Sequence, residues 1–104
     1  TRGVSVGFKL EQLPLFTLWK NTAPSADGYV VGLEPGINFP NTRSFEAEKG
    51  RVKKLAIGET ARFELELGFY NSAAEVQAIE EQIRSLQGTT KPELHKQPLA
   101  DWCS

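Results

Sequence analysis

Short apolar and alternating runs in the first 33 residues predict three β-strands. Residues 4–10 alternate apolar side chains with small or polar ones, which is the two-residue period of a half-buried strand. Residues 13–19 are apolar and rich in β-forming residues, and Pro14 is tolerated near the start of a strand or on an edge. Residues 29–33 are apolar or small without alternation, which indicates a strand covered on both faces and central in its sheet.

A hairpin is predicted further along the chain. Residues 51–55 and 60–70 flank a short turn at 56–59, and the second segment alternates apolar with charged or small residues. This pattern is typical of a hairpin that has one face in water.

The C-terminal third is predicted to hold one helix and a tail. Ser72 and Glu75 have the spacing of a capping box, and apolar residues then recur at helical intervals, which predicts an amphipathic helix over 72–87. Residues 89–104 contain two prolines and show no periodicity, so we expect an extended or disordered tail. Three apolar residues are candidates to pin it: Leu94, Leu99 and Trp102. The organisation is therefore a β segment at 1–70, a helix at 71–88 and a tail at 89–104.

Composition and charge narrow the classes of function. Twelve basic and thirteen acidic residues are interspersed and leave a net charge of -1, so nucleic acid is not an expected partner. No apolar run approaches the ~20 residues of a membrane span, and the N-terminus does not resemble a signal peptide. The single cysteine, Cys103, favours a reducing, cytoplasmic location. At 104 residues the chain is at most one small domain, or a part of a larger one.

Glu34 is the candidate catalytic residue. It is a lone carboxylate at the end of an apolar run, and Pro35-Gly36 and a long loop to Gly50 follow it. Long loops in compact domains tend to carry binding or catalysis, and a positioned carboxylate can serve as a general base. The alternative is an ordinary surface glutamate at a strand end.

The loop after Glu34 carries the candidate binding residues. Amide groups, a guanidinium and aromatic rings suit a polyhydroxylated ligand, because amides donate to and accept from hydroxyl groups while rings cover the C–H face of a sugar. The residues concerned are Asn38, Phe39, Asn41, Arg43 and Phe45. The alternative is that these side chains only stabilise the loop itself.

The sequence around three further polar residues is less specific for a binding or catalytic site. Lys20 and Asn21 follow the second predicted strand. A lysine and an asparagine at this position suit a wall of the binding site and a capped strand end equally. An ion pair between Lys20 and Glu34 would argue against a base at neutral pH. His95, the one histidine, has no second ligand at metal-binding spacing, so we expect no metal site.

The segment from Val31 to Asn41, Val-Gly-Leu-Glu-Pro-Gly-Ile-Asn-Phe-Pro-Asn, resembles the C-terminal part of the galactose mutarotase-like superfamily, the aldose 1-epimerases. The likeness is closest to a bacterial branch of epimerase-related proteins, in which Phe-Thr-Leu-Trp-Lys-Asn-Thr, as at 16–22, precedes Gly-Leu-Glu-Pro-Gly. The resemblance covers residues 2–70. Pro35-Gly36-Ile37 departs from the family's local spacing.

The resemblance implies an antiparallel β-sandwich that is part of a larger supersandwich. Together with the helix that the capping box predicts, the expected fold is mainly β with one C-terminal helix. It implies that Glu34 removes the proton of the anomeric hydroxyl, and that ring opening, rotation and reclosure then interconvert the anomers without a cofactor. Lys20, Asn21, Asn38, Asn41 and Arg43 would contact the sugar.

The family's catalytic histidines have no counterpart before His95. We therefore expect a C-terminal portion of an epimerase-like protein, inactive alone and completed by the remainder of the parent β-sandwich. Exposed sheet edges would favour self-association. Two alternatives stay open, a non-catalytic carbohydrate-binding β-domain and a purely structural β-sandwich piece.

Overall fold

The computed structural model describes residues 1–103, so Ser104, the end of the predicted tail, lies outside the described residues. Its strands are β1 (Gly3–Phe8), β2 (Leu15–Lys20), β3 (Val31–Gly36) and β4 (Leu65–Tyr70), and its α-helices are α1 (Arg43–Glu48) and α2 (Ala73–Gln87). A short 3-10 turn, Ser25–Asp27, lies between β2 and β3. Within residues 1–103, no helix is both long and apolar enough to cross a membrane.

The chain divides into two compact units, one formed by Thr1–Gly7 with Leu65–Gln97 and the other by Phe8–Glu64 with the residues from Pro98 onward. In the first unit, β1 and β4 form a two-stranded sheet. Gly3 lies beside Tyr70, and Gly7 lies beside Glu66, so the two strands run antiparallel.

Helix α2 begins at a capping box, as the sequence predicts. The Ser72 hydroxyl accepts a hydrogen bond from the Glu75 backbone N–H at 3.3 Å, and a Glu75 carboxylate oxygen accepts one from the Ser72 N–H at 3.0 Å. The same oxygen accepts the Asn71 N–H at 2.9 Å, and these bonds lower the pKa of Glu75. Val76 in the first turns of α2 lies over Gly3, where a side chain on the strand would crowd it.

In the second unit, β2 and β3 form an antiparallel hairpin with Thr17 opposite Glu34 and Lys20 opposite Val31. β3 therefore runs beyond the predicted end at residue 33 and includes Glu34 and Pro35. Within the described residues β2 is its one partner, and Val31 and Leu33 are exposed. The expectation of a central strand covered on both faces is wrong for these 103 residues.

The predicted hairpin of 51–55 with 60–70 is also wrong, although its turn forms, with the Glu59 N–H donating to the Ala56 carbonyl at 3.0 Å. Residues 51–55 are not a strand, and β4 pairs with β1 instead. The reason lies at Arg51, whose N–H donates to the Glu46 carbonyl at 2.8 Å and closes the chain onto α1.

Little apolar surface is buried. Among the described residues Leu13, at 6% exposure, is the one buried hydrophobic side chain, and Glu46, at 1%, is the one buried charged residue. The predicted mainly β, antiparallel fold with one main C-terminal helix is confirmed, and two small antiparallel sheets are compatible with a piece of a β-sandwich.

Candidate functional site

Glu34 lies on one face of the β2–β3 hairpin with Thr17 directly opposite. Its side chain is exposed, and it turns back over Gly32, where an added Cβ would come within 2.5 Å of the Glu34 Oε1 atom. The Trp19 Cβ would lie 3.3 Å from the same added atom. Gly32 therefore leaves the space that the Glu34 carboxylate occupies beside Trp19.

Two neighbouring open depressions surround the start of the loop. The first, of about 240 Å³, is lined by Thr17, Glu34, Pro35, Gly36, Asn38, Phe39 and Pro40. The second, of about 350 Å³, is lined by Ile37, Asn38, Asn41, Arg43, Glu46, Val52 and Lys53. Asn38 borders both depressions. The structure thus brings four of the six predicted site residues, Glu34, Asn38, Asn41 and Arg43, to one region.

Lys20 is not among them. Lys20 pairs with Val31, three residues before Glu34, and side chains alternate between the two faces of a strand. Lys20 and Glu34 therefore point to opposite faces of the hairpin. The ion pair that would have argued against Glu34 as a base does not form.

Asn21 stabilises the turn between β2 and β3. Its side-chain oxygen accepts the Ala23 N–H at 2.9 Å, and its amide nitrogen donates to the Gly28 carbonyl at 3.3 Å. Its backbone N–H donates to the Val30 carbonyl at 3.0 Å. These contacts match the capped strand end that the sequence left open as the alternative.

The most developed polar cluster is centred on Glu46, which sequence reasoning missed. Arg51 donates to both carboxylate oxygens, from Nε at 2.7 Å and from Nη2 at 2.8 Å. The Asn41 amide donates at 2.7 Å and the Phe39 backbone N–H at 3.1 Å. The hydrogen bond from Arg51, helped by those from Asn41 and Phe39 and opposed by burial, lowers the pKa of Glu46 to about 2.

The aromatic side chains of the loop are held around this ion pair. The Arg51 guanidinium lies 5.1 Å from the centre of the Phe39 ring and 5.8 Å from that of Phe45. Cation–π contacts of this kind are favourable when partly desolvated. Glu46 and Arg51 are five residues apart, so the pair joins the start of α1 to the chain that follows it. Within the sequence, this spacing is too common to have signalled the cluster.

The tail also contacts the loop. Trp102 stacks on Phe39 with ring centres 5.1 Å apart, and its carbonyl accepts a hydrogen bond from the Asn41 amide at 2.8 Å. Lys49 and Asp101 form an ion pair, which lowers the pKa of Asp101. Trp102, one of three predicted anchors, therefore pins the tail.

These contacts divide the predicted loop residues by role. Asn41 donates its amide hydrogens to Glu46 and Trp102, so it holds the loop together. The Asn38 amide donates to the neighbouring Phe39 carbonyl at 2.9 Å, but its side chain is exposed. Arg43 is exposed at the start of α1 and makes no ion pair with any residue from 1 to 103. Glu34, Asn38 and Arg43 are the residues that a ligand can reach.

No group of three or more His, Cys, Asp and Glu side chains within residues 1–103 is arranged to hold a metal ion. His95 lies in the other unit, with its Nε2 atom 3.5 Å from a Glu93 carboxylate oxygen.

A family model described as a domain of unknown function, DUF4432, matches residues 1–69. No curated protein and no solved structure matches the chain. The matched residues include β1 to β3, α1, both depressions and nearly all of β4, and they end before α2.

Proposed function

The chain belongs to the family described as a domain of unknown function, DUF4432, and we propose that it forms part of a sugar-binding β-domain related to the aldose 1-epimerases of the galactose mutarotase-like superfamily. The observation that carries the proposal is that Glu34 and Asn38 line one depression, while Asn38 also lines the next one together with Arg43. In this proposal one polyhydroxylated ligand spans both depressions and contacts an acid, an amide and a guanidinium.

Glu34 is the base in this proposal. Its carboxylate takes the proton of the anomeric hydroxyl, the bond between C1 and the ring oxygen breaks, and a carbonyl forms at C1. The ring oxygen takes a proton from a general acid. Rotation about the C1–C2 bond followed by the reverse steps gives the other anomer. The Phe39 ring, which lines the same depression, would cover the C–H face of the sugar.

The general acid has to come from outside the Glu34 depression. Glu34 is the one titratable side chain among the residues that line this depression. We therefore propose that anomer interconversion takes place in a longer protein that supplies the acid and the remainder of the β-sandwich. A cytoplasmic location belongs to the proposal, because a single exposed thiol, Cys103, fits a reducing compartment.

The charge of the second depression favours an acidic sugar. Arg43 and Lys53 both line it, and the charge of Glu46 is already balanced by Arg51. A carboxylate or phosphate group on the ligand would pair with the exposed Arg43 guanidinium. A uronic acid is then expected to bind more tightly than the matching neutral hexose, and the difference should shrink as salt is added.

The first prediction concerns Glu34→Gln. In a longer chain that contains these 104 residues together with the missing acid, this change should lower the rate of mutarotation by about a hundredfold or more, because it removes the base but keeps the shape. Sugar binding should change little. Polarimetry measures the first quantity, and NMR titration with a uronic acid measures the second.

Glu11→Gln is the matched control, since Glu11 is exposed and lies outside both depressions. An unchanged mutarotation rate in Glu34→Gln would remove Glu34 from catalysis.

The second candidate function is a carbohydrate-binding domain without activity, and the lone acid in the Glu34 depression favours it. Binding without mutarotation in the longer protein would select this function. If neither binding nor mutarotation is observed there, both proposals are wrong and the depressions belong to a structural β piece.

A further inference from the structure

The face of the β2–β3 hairpin that carries Glu34 also carries the hydroxyl group of Thr17. Side chains alternate between the two faces of a strand, so every second strand pair lies on the same face. The three pairs on this face are Leu15 with Gly36, Thr17 with Glu34, and Trp19 with Gly32. Because glycines lie on both sides of Glu34, β3 places no other side chain on this face, and Thr17 is the residue directly across from the carboxylate.

The Thr17 hydroxyl is available to a ligand. Thr17 is half-buried and lines the Glu34 depression. Within residues 1–103, neither its hydroxyl nor the Glu34 carboxylate has a hydrogen-bond partner. A few polar groups that line a depression and still have free hydrogen-bonding capacity are what orients a small ligand in its site.

The strand pairing limits which ligand atoms the two residues can share. Directly opposite residues of an antiparallel pair have their Cβ atoms about 4.5 to 5.5 Å apart. Thr17 and Glu34 therefore suit two ligand oxygens that are close together, as oxygens on neighbouring atoms of a sugar ring are. In the proposed function Glu34 takes the proton of the hydroxyl on C1. The oxygens next to that hydroxyl are the ring oxygen and the hydroxyl on C2.

The C2 hydroxyl is the better partner for Thr17. In the proposed reaction the ring oxygen receives its proton from a general acid outside this depression, so the ring oxygen faces away from the residues that line it. A threonine hydroxyl is also far too weak an acid to supply that proton. It can, however, both donate a hydrogen bond to a second hydroxyl and accept one from it.

We propose that Thr17 forms a hydrogen bond with the C2 hydroxyl of an aldose whose C1 hydroxyl contacts Glu34. Thr17 thereby selects aldoses with a free C2 hydroxyl over 2-deoxy sugars. A site that hydrogen-bonds a substrate hydroxyl binds the analogue without it more weakly, because the half-buried group of the protein is left unpaired. This inference rests on the proposed sugar-binding function, and it adds a specificity-determining residue to that site.

The experiment titrates the longer chain that contains these residues with glucuronic acid and galacturonic acid, and with the 2-deoxy form of each. NMR shifts give the dissociation constants. The wild type should bind the better of the two uronic acids about five- to tenfold more tightly than its 2-deoxy form. Thr17→Val keeps the branched shape but removes the hydroxyl, so it should abolish this difference. Thr17→Ser keeps the hydroxyl and should retain the difference.

Thr22→Val is the matched control and should leave every dissociation constant unchanged, since Thr22 is exposed in the turn after β2 and lines neither depression. Equal affinity of the wild type for a uronic acid and its 2-deoxy form would overturn the inference without any variant. An equal loss of affinity for both forms in Thr17→Val would overturn it too, because Thr17 would then have only a structural role. In both cases a sugar still binds and the proposed function stands. If the wild type binds neither uronic acid, the proposed function is wrong and this inference is wrong with it.

Discussion

At the scale of single residues, the best-defined polar contact is the one that keeps the loop in shape. Glu46 accepts four hydrogen bonds, two of them from Arg51, and it is buried with its charge. A buried carboxylate is tolerated only when its lone pairs are satisfied in this way. The loop next to Glu34 is therefore prearranged around a buried ion pair.

The pH dependence of stability follows from this pair. The pKa of Glu46 falls from an ordinary 4.5 to about 2 on folding, so its contribution is fully present above about pH 4.5 and is lost as the pH falls toward 2. Glu46→Gln should lower the thermal midpoint by several degrees near neutral pH, and the gap to the wild type should close on acidification. Thermal unfolding followed by circular dichroism between about pH 7 and pH 2.5 measures this gap.

Glu48→Gln, an exposed change in the same helix, controls for the loss of a charge. If the difference in thermal midpoint between Glu46→Gln and the wild type stays constant with pH, this account of the ion pair is wrong.

At the scale of elements, strands and the long helix follow local rules. β1, β2 and α2 lie where alternation, β-forming residues and the capping box predict them, each within two residues at either end. β3 is displaced toward Glu34, and the six-residue α1 lies inside what the sequence predicts as loop. The sequence does not predict α1 because its apolar residues are only Phe45 and Ala47, two positions apart, which gives no helical periodicity.

The capping box of α2 gives a prediction at this scale. Ser72→Ala should destabilise the helix by about 1 kcal/mol, because it leaves the Glu75 N–H without its acceptor. Chemical denaturation followed at a helix-sensitive wavelength measures the change. Ser44→Ala, an exposed serine in α1, is the matched control and should have a smaller effect on that signal. Equal losses of stability in Ser72→Ala and Ser44→Ala would show that the capping box makes no specific contribution to the stability of α2.

At the scale of the whole molecule, residues far apart in sequence decide the shape of the candidate site. The Asn41 amide reaches the Trp102 carbonyl across 61 positions, and Phe39 stacks on the same tryptophan. The tail beyond residue 97 is thus part of the unit that carries Glu34.

Trp102→Ala tests this link. Losing the stacked pair should cost about 1 kcal/mol and loosen the loop, so the Phe39 and Arg51 amides, which donate to Glu46, should exchange faster with deuterium. NMR-detected hydrogen exchange measures both amides. Leu94→Ala, in the other unit, should leave them unchanged. Unchanged exchange in Trp102→Ala would mean that the loop is held by the Glu46 pair alone.

The sequence by itself determined what depends on near neighbours: strands β1 and β2, the capped helix, the turn at 56–59, and the collection of Glu34, Asn38 and Arg43 near one loop. Only the tertiary structure decided which strands pair, since the alternation in β4 suits β1 as well as it suits residues 51–55. Strand register decided that Lys20 and Glu34 point to opposite faces, because a shift of one residue would reverse that relation. The tertiary structure also decided that Glu46, rather than another acidic residue, forms the buried ion pair. The burial of a carboxylate depends on which residues from other parts of the chain pack around it.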